Sequence, residues 1–350
     1  MDPTTGLPSP RRKTFSEEMG VNHEGLTTES HDWTLVKAID LVHDQKIVVI
    51  DGDTSIEGAC DILVKNNISS APVYDRSTKS YVGMFDWADV MSYLLIVLKK
   101  KNSIEQQKKT DAELTKEFQD LLKLSTEHQP IPVKLASDLS NKNPFYSVYP
   151  ETSLLQVVEL FGNGTHRVAV LDADGNLKGI LSQSGVLNYL YKNVTRFPQI
   201  ESLFPKTSCD ICSSRLFCPR CIDNDDSVAI IDSEGMLIGN ISMTDVKYII
   251  RSYSHSLMWK TCQKFVSHVR SIQGLEDGQD RYPVFDVRTT STLGYTIAKL
   301  TATKAHRVWV VDEKMKAVGV VSLTDILGVF AQAADGNLSL KKLSRSTSSS

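Results

Sequence analysis

The fold is decided by the stretch Thr303-Lys304-Ala305-His306-Arg307-Val308-Trp309-Val310-Val311-Asp312-Glu313-Lys314-Met315-Lys316-Ala317-Val318-Gly319-Val320-Val321-Ser322-Leu323-Thr324-Asp325-Ile326-Leu327-Gly328-Val329-Phe330. Val308 to Val311 is a short apolar, β-branched run, Asp312 to Lys316 a polar turn, and Val318 to Val321 a second run. Thr324 opens an apolar-periodic helix. Two places in this strand–turn–strand–helix unit carry chemistry. His306-Arg307 precede the first strand, and Ser322-Leu323-Thr324-Asp325 stand where the second strand becomes a helix. A helix start offers unpaired N–H groups and the positive end of the dipole, which suit a phosphate. An Asp there accepts hydrogen bonds from a ribose diol, and Arg and His supply cationic donors for phosphate oxygens. The plainer reading is that Ser or Thr caps the helix, Asp favours its first turn, and nothing binds.

The unit recurs. Tyr81-Val82-Gly83-Met84-Phe85-Asp86-Trp87-Ala88-Asp89, Leu177-Lys178-Gly179-Ile180-Leu181-Ser182-Gln183-Ser184-Gly185 and Leu237-Ile238-Gly239-Asn240-Ile241-Ser242-Met243-Thr244-Asp245 repeat the segment around Gly319. Each follows a strand-like run: Ala71 to Asp75, Val168 to Asp172, Val228 to Asp232, Val308 to Asp312. Four such modules in one chain define a repeat architecture of the α/β class.

The totals set outer limits. With 350 residues, 41% hydrophobic and 23% charged, the chain has room for two ordinary domains and the composition of a soluble globular protein. A net charge of −3 gives no reason to expect nucleic-acid binding. No uncharged run approaches the ~20 residues of a membrane span, and no secretory signal is visible. Six cysteines without such a signal suggest a reducing compartment. The expected location is the cytoplasm, with the nucleus also open.

Along the chain, residues 1–33 and the serine-rich 333–350 read as disordered polar tails. Module 1 spans 34–98, with a strand over Lys46–Ile50 and a helix over Ser55–Asn66 that turns Ile56, Ala59, Cys60 and Leu63 inward. A charged insert, 99–130, carries Leu114, Phe118, Leu121 and Leu122 at helical spacing. Module 2 (131–195) has a strand over Phe145–Tyr149 and a helix over Ser153–Gly162 facing Leu154, Leu155, Val158 and Phe161 inward. His166-Arg167 lead into its next strand, and Gly185 stands where modules 3 and 4 have Asp. Module 3 (196–252) is incomplete: its second half is clear, but Pro205–Asp226 offers no amphipathic helix. The repeated glycines are 96, 60 and 80 residues apart, and the shortest gap falls there. A helix opened by Thr244-Asp245 is expected to run through Leu257, Trp259 and Phe265 to Ile272, joining modules 3 and 4 across 253–280. Module 4 (281–332) is complete, with a strand over Val284–Val287 and a helix over Thr292–Thr303.

Cys209-Asp210-Ile211-Cys212 and Cys218-Pro219-Arg220-Cys221 form two C-x-x-C pairs. Four thiolates can hold a structural zinc, although only five residues separate the pairs, against ~15–20 in common ribbons. Reduced thiols in a loop are the alternative. No P-loop, nucleophile elbow or kinase catalytic loop is present, so the sequence points to a non-catalytic protein.

These repeats resemble cystathionine-β-synthase (CBS) motifs in βαββα order, two of which form a Bateman pair, and four of them resemble the nucleotide-sensing γ subunit of AMP-activated protein kinase. Three stretches resemble a narrower fungal family of four-CBS proteins: Asp138 to Phe145, Gly239 to Lys247, and Gly274 to Phe285. The resemblance implies two Bateman pairs in a disc, the third motif being incomplete, with an adenine nucleotide (AMP, ADP or ATP) as ligand. Asp325, Asp245 and Asp89 would hold ribose. Thr324, Ser322, Thr244 and Ser242 would cap helices and face the nucleotide, and His166, Arg167, His306 and Arg307 would meet phosphate. The kinase subunit has an Arg before its Ala-Ala-Pro strand, where this chain reads Ile68-Ser69-Ser70-Ala71-Pro72; that departure weakens the kinase scheme. The family resemblance further implies a protein partner, a type 2A-like protein phosphatase, in cell separation, DNA replication and stress responses. Kinase subunits, or a zinc-dependent adaptor role, are the alternatives.

Overall fold

The computed structural model describes residues 32–103, 129–207, 227–251, 257, 259–277 and 284–334. Module 1 comprises β1 (Ile50–Asp51), α1 (Ile56–Lys65), β2 (Ser70–Asp75), β3 (Ser80–Asp86) and α2 (Trp87–Ser103). Module 2 repeats the order as β4 (Ser147–Val148), α3 (Leu154–Gly162), β5 (Arg167–Leu171), β6 (Leu177–Ser182) and α4 (Gln183–Lys192), followed by the short α5 (Pro198–Glu201). Module 3 shows β7 (Ser227–Ile231), β8 (Leu237–Ser242) and α6 (Val246–Arg251), and α7 (Cys262–Asp277) follows it. Module 4 is β9 (Asp286–Arg288), α8 (Leu293–Thr303), β10 (Arg307–Val311), β11 (Ala317–Ser322) and α9 (Leu323–Ala334). In modules 1, 2 and 4 the middle strand pairs parallel with the first and antiparallel with the third; module 3 has the antiparallel pair β7–β8 alone among the described residues.

Each module's leading segment is exchanged with its neighbour. The first helices are capped by Ser55, Ser153 and Thr292, whose hydroxyls accept from Gly58, Gln156 and Tyr295. The next N–H of each helix reaches across modules, from Ile56 to the Ile131 carbonyl (3.0 Å), Leu154 to Val36 (2.6 Å) and Leu293 to Lys206 (2.8 Å). The segment before module 2 thus closes module 1, and the segment before module 1 closes module 2. Gln45 seals the second contact by exchanging two side-chain hydrogen bonds with the Ile180 backbone. At Gly179 the glycine is required by this contact: a Cβ there would stand 2.5 Å from Val42 Cβ, so a side chain would expel the exchanged segment.

The pairs then meet through helices, α3 and α4 of module 2 against α9 and α8 of module 4, and α2 of module 1 against α6 of module 3. The hairpins of modules 3 and 4 join at Met236 and Lys316. The four modules therefore close a ring in the order 1-2-4-3. Modules 2 and 4 share one core containing Phe161, Leu187, Leu190, Leu327 and Phe330. Burying each such side chain is worth about 1.5–3 kcal/mol.

Three expectations need correction. The inward face of α3 is Leu154, Val157, Val158 and Phe161, because the i, i+3, i+4, i+7 set falls there and leaves Leu155 half-buried. The first strands are two or three residues long, since each parallel ladder ends almost at once. The helix at Val246 does not continue to Ile272: α6 ends at Arg251, and a separate α7 starts behind Thr261, whose hydroxyl accepts from the Lys264 N–H. The tail boundaries also shift: Trp33 is 1% exposed in the core and α9 runs to Ala334, because both pack on the core shared by modules 2 and 4, whereas residues 1–31 and 335–350, with Leu114, Phe118, Leu121 and Leu122, lie outside the described residues.

Where α3 crosses α9, a Cβ on Gly162 would lie 2.7 Å from Gly328 Cα, whereas a Cβ on Gly328 would find its nearest neighbour at 3.7 Å. Gly162→Ala is therefore expected to lose about 1–3 kcal/mol by overpacking, while Gly328→Ala is neutral or gains up to ~1 kcal/mol of helix propensity. Urea unfolding midpoints check this, and equal shifts for the two variants would contradict the close crossing.

Candidate functional site

The local chemistry is set where each third strand turns into the second helix. In module 4, Ser322 donates from both its backbone N (2.9 Å) and its hydroxyl (2.7 Å) to Asp325 Oδ2, and the Asp325 N–H returns to Ser322 Oγ (3.3 Å). One carboxylate oxygen is thus spent on the cap, and Oδ1 accepts no hydrogen bond among the described residues. Arg307 lies across the ladder from Ser322, and the His306 carbonyl accepts the Leu323 N–H. The structure therefore brings together His306, Arg307, Ser322, Thr324 and Asp325. Thr324 does not face outward only: its hydroxyl accepts from Gln183 Nε2 of module 2 at 2.8 Å. Gln183, 6% exposed, also donates to the Phe161 and Thr165 carbonyls.

Module 3 repeats the arrangement more deeply. The Ser242 N–H donates to Asp245 Oδ2 at 2.8 Å, and the Ser242 and Thr244 hydroxyls lie 3.1 Å apart. Burial raises the Asp245 pKa, against the Ser242 N–H and the charges of Arg270 and Lys247, which pull it down. Across the ladder from Ser242 stands Ser227, whose buried hydroxyl has no hydrogen-bond partner among the described residues. Ser70, its counterpart in module 1, is orphaned in the same way. Modules 2 and 4 have Arg167 and Arg307 at this position.

Between modules 1 and 2 the candidates are engaged with one another's modules. Arg167 Nη2 donates to Ser69 Oγ at 2.6 Å, and His166 Nδ1 lies 2.6 Å from Asn143 Oδ1. Asn143 in turn donates to Asp86 Oδ2. Asp89 is turned inward: Oδ2 accepts from the Asp86 N–H (3.0 Å) and Oδ1 from the Ser140 N–H (2.9 Å). At 2% exposure, with both oxygens occupied, Asp89 is poorly placed for a ribose. Asp86 is a local partner, three residues before Asp89 and capping the same helix, whereas Ser140, Asn143 and the Gln183–Thr324 contact carried no sequence signal, because these meet across modules. Cys209, Cys212, Cys218 and Cys221 lie outside the described residues, and no other His/Cys/Asp/Glu group suited to a metal occurs among the described ones. No described helix is long and apolar enough to cross a membrane.

The CBS-domain family model matches residues 30–96, 136–192 and 280–332, which fall on modules 1, 2 and 4. The chain is 36% identical to Protein SDS23 of Kluyveromyces lactis, covering 86% of this chain and 63% of that one. It is 33% identical to Protein SDS23 of Yarrowia lipolytica, over 89% of this chain and 70% of that one. The chain belongs to the fungal SDS23 family of CBS-domain proteins. It spans 63% and 66% of the length of the SDS23 proteins of Kluyveromyces lactis and Eremothecium gossypii, about two thirds or less. A solved structure from Methanocaldococcus jannaschii, described in relation to g-AMPK, superposes with a TM-score of 0.57 at 13% identity, covering 84% of this chain and all of that one. That likeness concerns the fold.

Burial, and then the Asp86 charge, push the Asp89 carboxyl up to about 8. A carboxyl whose folded pKa exceeds its unfolded value stabilises the fold fully below the unfolded pKa, near 4, and loses that contribution as pH rises to about 8. Stability should therefore fall between pH 5 and 8. Asp89→Asn should flatten that slope, which is at most about 1.4 kcal/mol per pH unit for one proton. Urea titrations at pH 5, 6.5 and 8 measure it; parallel slopes for wild type and variant would refute the buried-acid assignment.

Proposed function

We propose that this chain is a non-catalytic regulator that takes an adenine nucleotide at its helix starts and relays occupancy to a protein partner. The observation that carries the reading is Asp325: Ser322, which pairs across the ladder with Arg307, fixes one oxygen of this half-buried carboxylate at the start of a twelve-residue helix, and the other accepts no hydrogen bond among the described residues. The orphaned Ser227 hydroxyl beside Ser242 and Asp245 fits the same ligand class, since a buried hydroxyl without a partner costs about 1–3 kcal/mol unless something bonds it. Asp325 and Asp245 are assigned to ribose, His306, Arg307, His166 and Arg167 to phosphate, with Ser322, Thr324, Ser242 and Thr244 shaping the helix starts. Asp89 is kept as the least suited of the set. Module 2, with Gly185, has no ribose acceptor of its own.

Family membership supports a regulatory output, and the proposed partner is a type 2A-like protein phosphatase, with roles in cell separation, DNA replication and stress signalling in cytoplasm and nucleus. A second reading, a γ-type subunit of an AMP-activated kinase complex, draws on the AMPK γ-like fold. Ser69, which stands where the kinase subunit has Arg, speaks against it, because a serine offers no charge to phosphate. Affinity capture from cells separates the two: phosphatase subunits support the first reading, kinase subunits the second.

Calorimetric titration of AMP, ATP and adenosine tests the site. Asp325→Ala is expected to weaken all three by about 10- to 150-fold, the equivalent of 1.5–3 kcal/mol for lost hydrogen bonds to a charged group. Arg307→Ala should weaken ATP more than adenosine, and added salt should reduce that difference. Identical affinities for wild type and Asp325→Ala would remove the ribose assignment.

A further inference from the structure

Two positions before Asp89, Gly185, Asp245 and Asp325, three modules carry an apolar side chain, Trp87, Met243 and Leu323, and module 2 carries Gln183. Trp87 and Leu323 are each 3% exposed, and Gln183 is buried as deeply as a core residue. The place calls for an apolar side chain, and an amide buried there costs free energy unless its hydrogen bonds are made. They are made, and one of them crosses to module 4. Gln183 Nε2 lies 3.1 Å from the Phe161 carbonyl oxygen, 3.1 Å from that of Thr165 and 2.8 Å from Thr324 Oγ1. A carbonyl only accepts, so the amide atom facing both carbonyls is the nitrogen. An amide nitrogen only donates, so the Thr324 oxygen accepts from it. The hydrogen of the Thr324 hydroxyl therefore points away from Gln183, and it meets no acceptor among the described residues. Ser322, at the same helix start, is arranged the other way: its hydroxyl hydrogen is spent on Asp325 Oδ2 at 2.7 Å. Thr324 thus has a hydrogen to offer at the positive end of α9, where Arg307 stands across the ladder from Ser322. A donor in such surroundings suits an anionic oxygen.

We propose, on the nucleotide reading of the module 4 site, that Gln183 of module 2 is a positioning residue for it. Gln183 occupies the acceptor side of Thr324 and so fixes that hydroxyl as a donor toward the ligand, which makes the site favour a nucleotide phosphate over the uncharged nucleoside. Module 2, which has Gly185 in place of a carboxylate, lends its own helix start to the site of its neighbour.

Calorimetric titration of AMP and adenosine into the full chain tests the role of Gln183. Thr324→Val leaves the two hydrogens of Gln183 Nε2 with two carbonyls to bond, so it removes the hydroxyl without burying an unpaired donor. It is expected to weaken AMP by about 10- to 150-fold, as for a lost hydrogen bond to a charged group, and to leave adenosine nearly unchanged. Gln183→Met keeps the length of the side chain and removes the donor, while the Phe161 carbonyl retains the Gly164 N–H at 3.1 Å. It should lower the preference for AMP over adenosine at least about threefold. The double variant should bind AMP no more weakly than Thr324→Val, because Gln183 acts through that hydroxyl. Equal losses for AMP and adenosine in Gln183→Met, or losses that add in the double variant, would show a packing role alone and overturn the proposal. Should Gln183→Met fail to fold, a preference for AMP over adenosine that Thr324→Val leaves unchanged would overturn it alone. Asp325→Ala separates this role from the site itself: if it weakens both ligands while Gln183→Met changes neither, the site stands and Gln183 has no part in it. If wild type binds neither ligand, both fall.

Discussion

The structure depends on one backbone hydrogen bond made three times. The first N–H after each helix cap in modules 1, 2 and 4 donates to a carbonyl that belongs to the neighbouring module's leading segment. A helix start leaves unpaired N–H groups, and burying one without a partner is costly. Here the partner always comes from the other member of the pair. A module excised with only its own βαββα elements would lose both its cap acceptor and the apolar cover that the same segment brings, such as Ile131 and Val133 over module 1 or Val42 over module 2. The pair, not the module, is therefore the smallest unit whose polar groups are satisfied.

The same exchange explains why the four helix starts, similar in sequence, differ in chemistry. The leader of module 2 carries Ser140 and Asn143 onto the Asp86–Asp89 pair and saturates it, so an acidic motif of module 1 becomes a buried, protonation-sensitive strut. In module 4 only one oxygen of the Asp325 carboxylate accepts hydrogen bonds among the described residues. The Arg/Ser alternation at the head of the middle strand follows the ring: Arg167 and Arg307 lie in modules 2 and 4, which share one core, and the orphaned Ser70 and Ser227 lie in modules 1 and 3. Repetition supplies the frame, and the neighbours of each copy decide what its polar groups can reach.

Much of the site was legible because it is local. Ser322 and Asp325, or Ser242 and Asp245, are three residues apart at a strand-to-helix junction, and a capping geometry follows from that spacing alone. What was illegible involves partners 18 to 141 positions away, as in the contacts of Gln183 with Thr165 and Thr324 or of Arg167 with Ser69, 98 positions away. Hydrophobic period also misled in one place. Through Leu257, Trp259 and Phe265 it suggested one long helix, but a Thr cap at 261 starts a new one, because a local side-chain hydrogen bond to a helix start outweighs continuity of an apolar stripe.

By itself, the sequence determined the number of modules, their strand–helix order and the inward faces of α1 and, save for one residue, of α3. These rest on short-range periodicity and on repetition, which are present in the chain before it folds. Only the tertiary structure decided which carboxylate is buried with both oxygens bonded, why Gly179 has no room for a side chain, and that the leading segments are exchanged. Those outcomes depend on which distant backbone carbonyl or side chain arrives at each helix start, and local spacing carries no record of it.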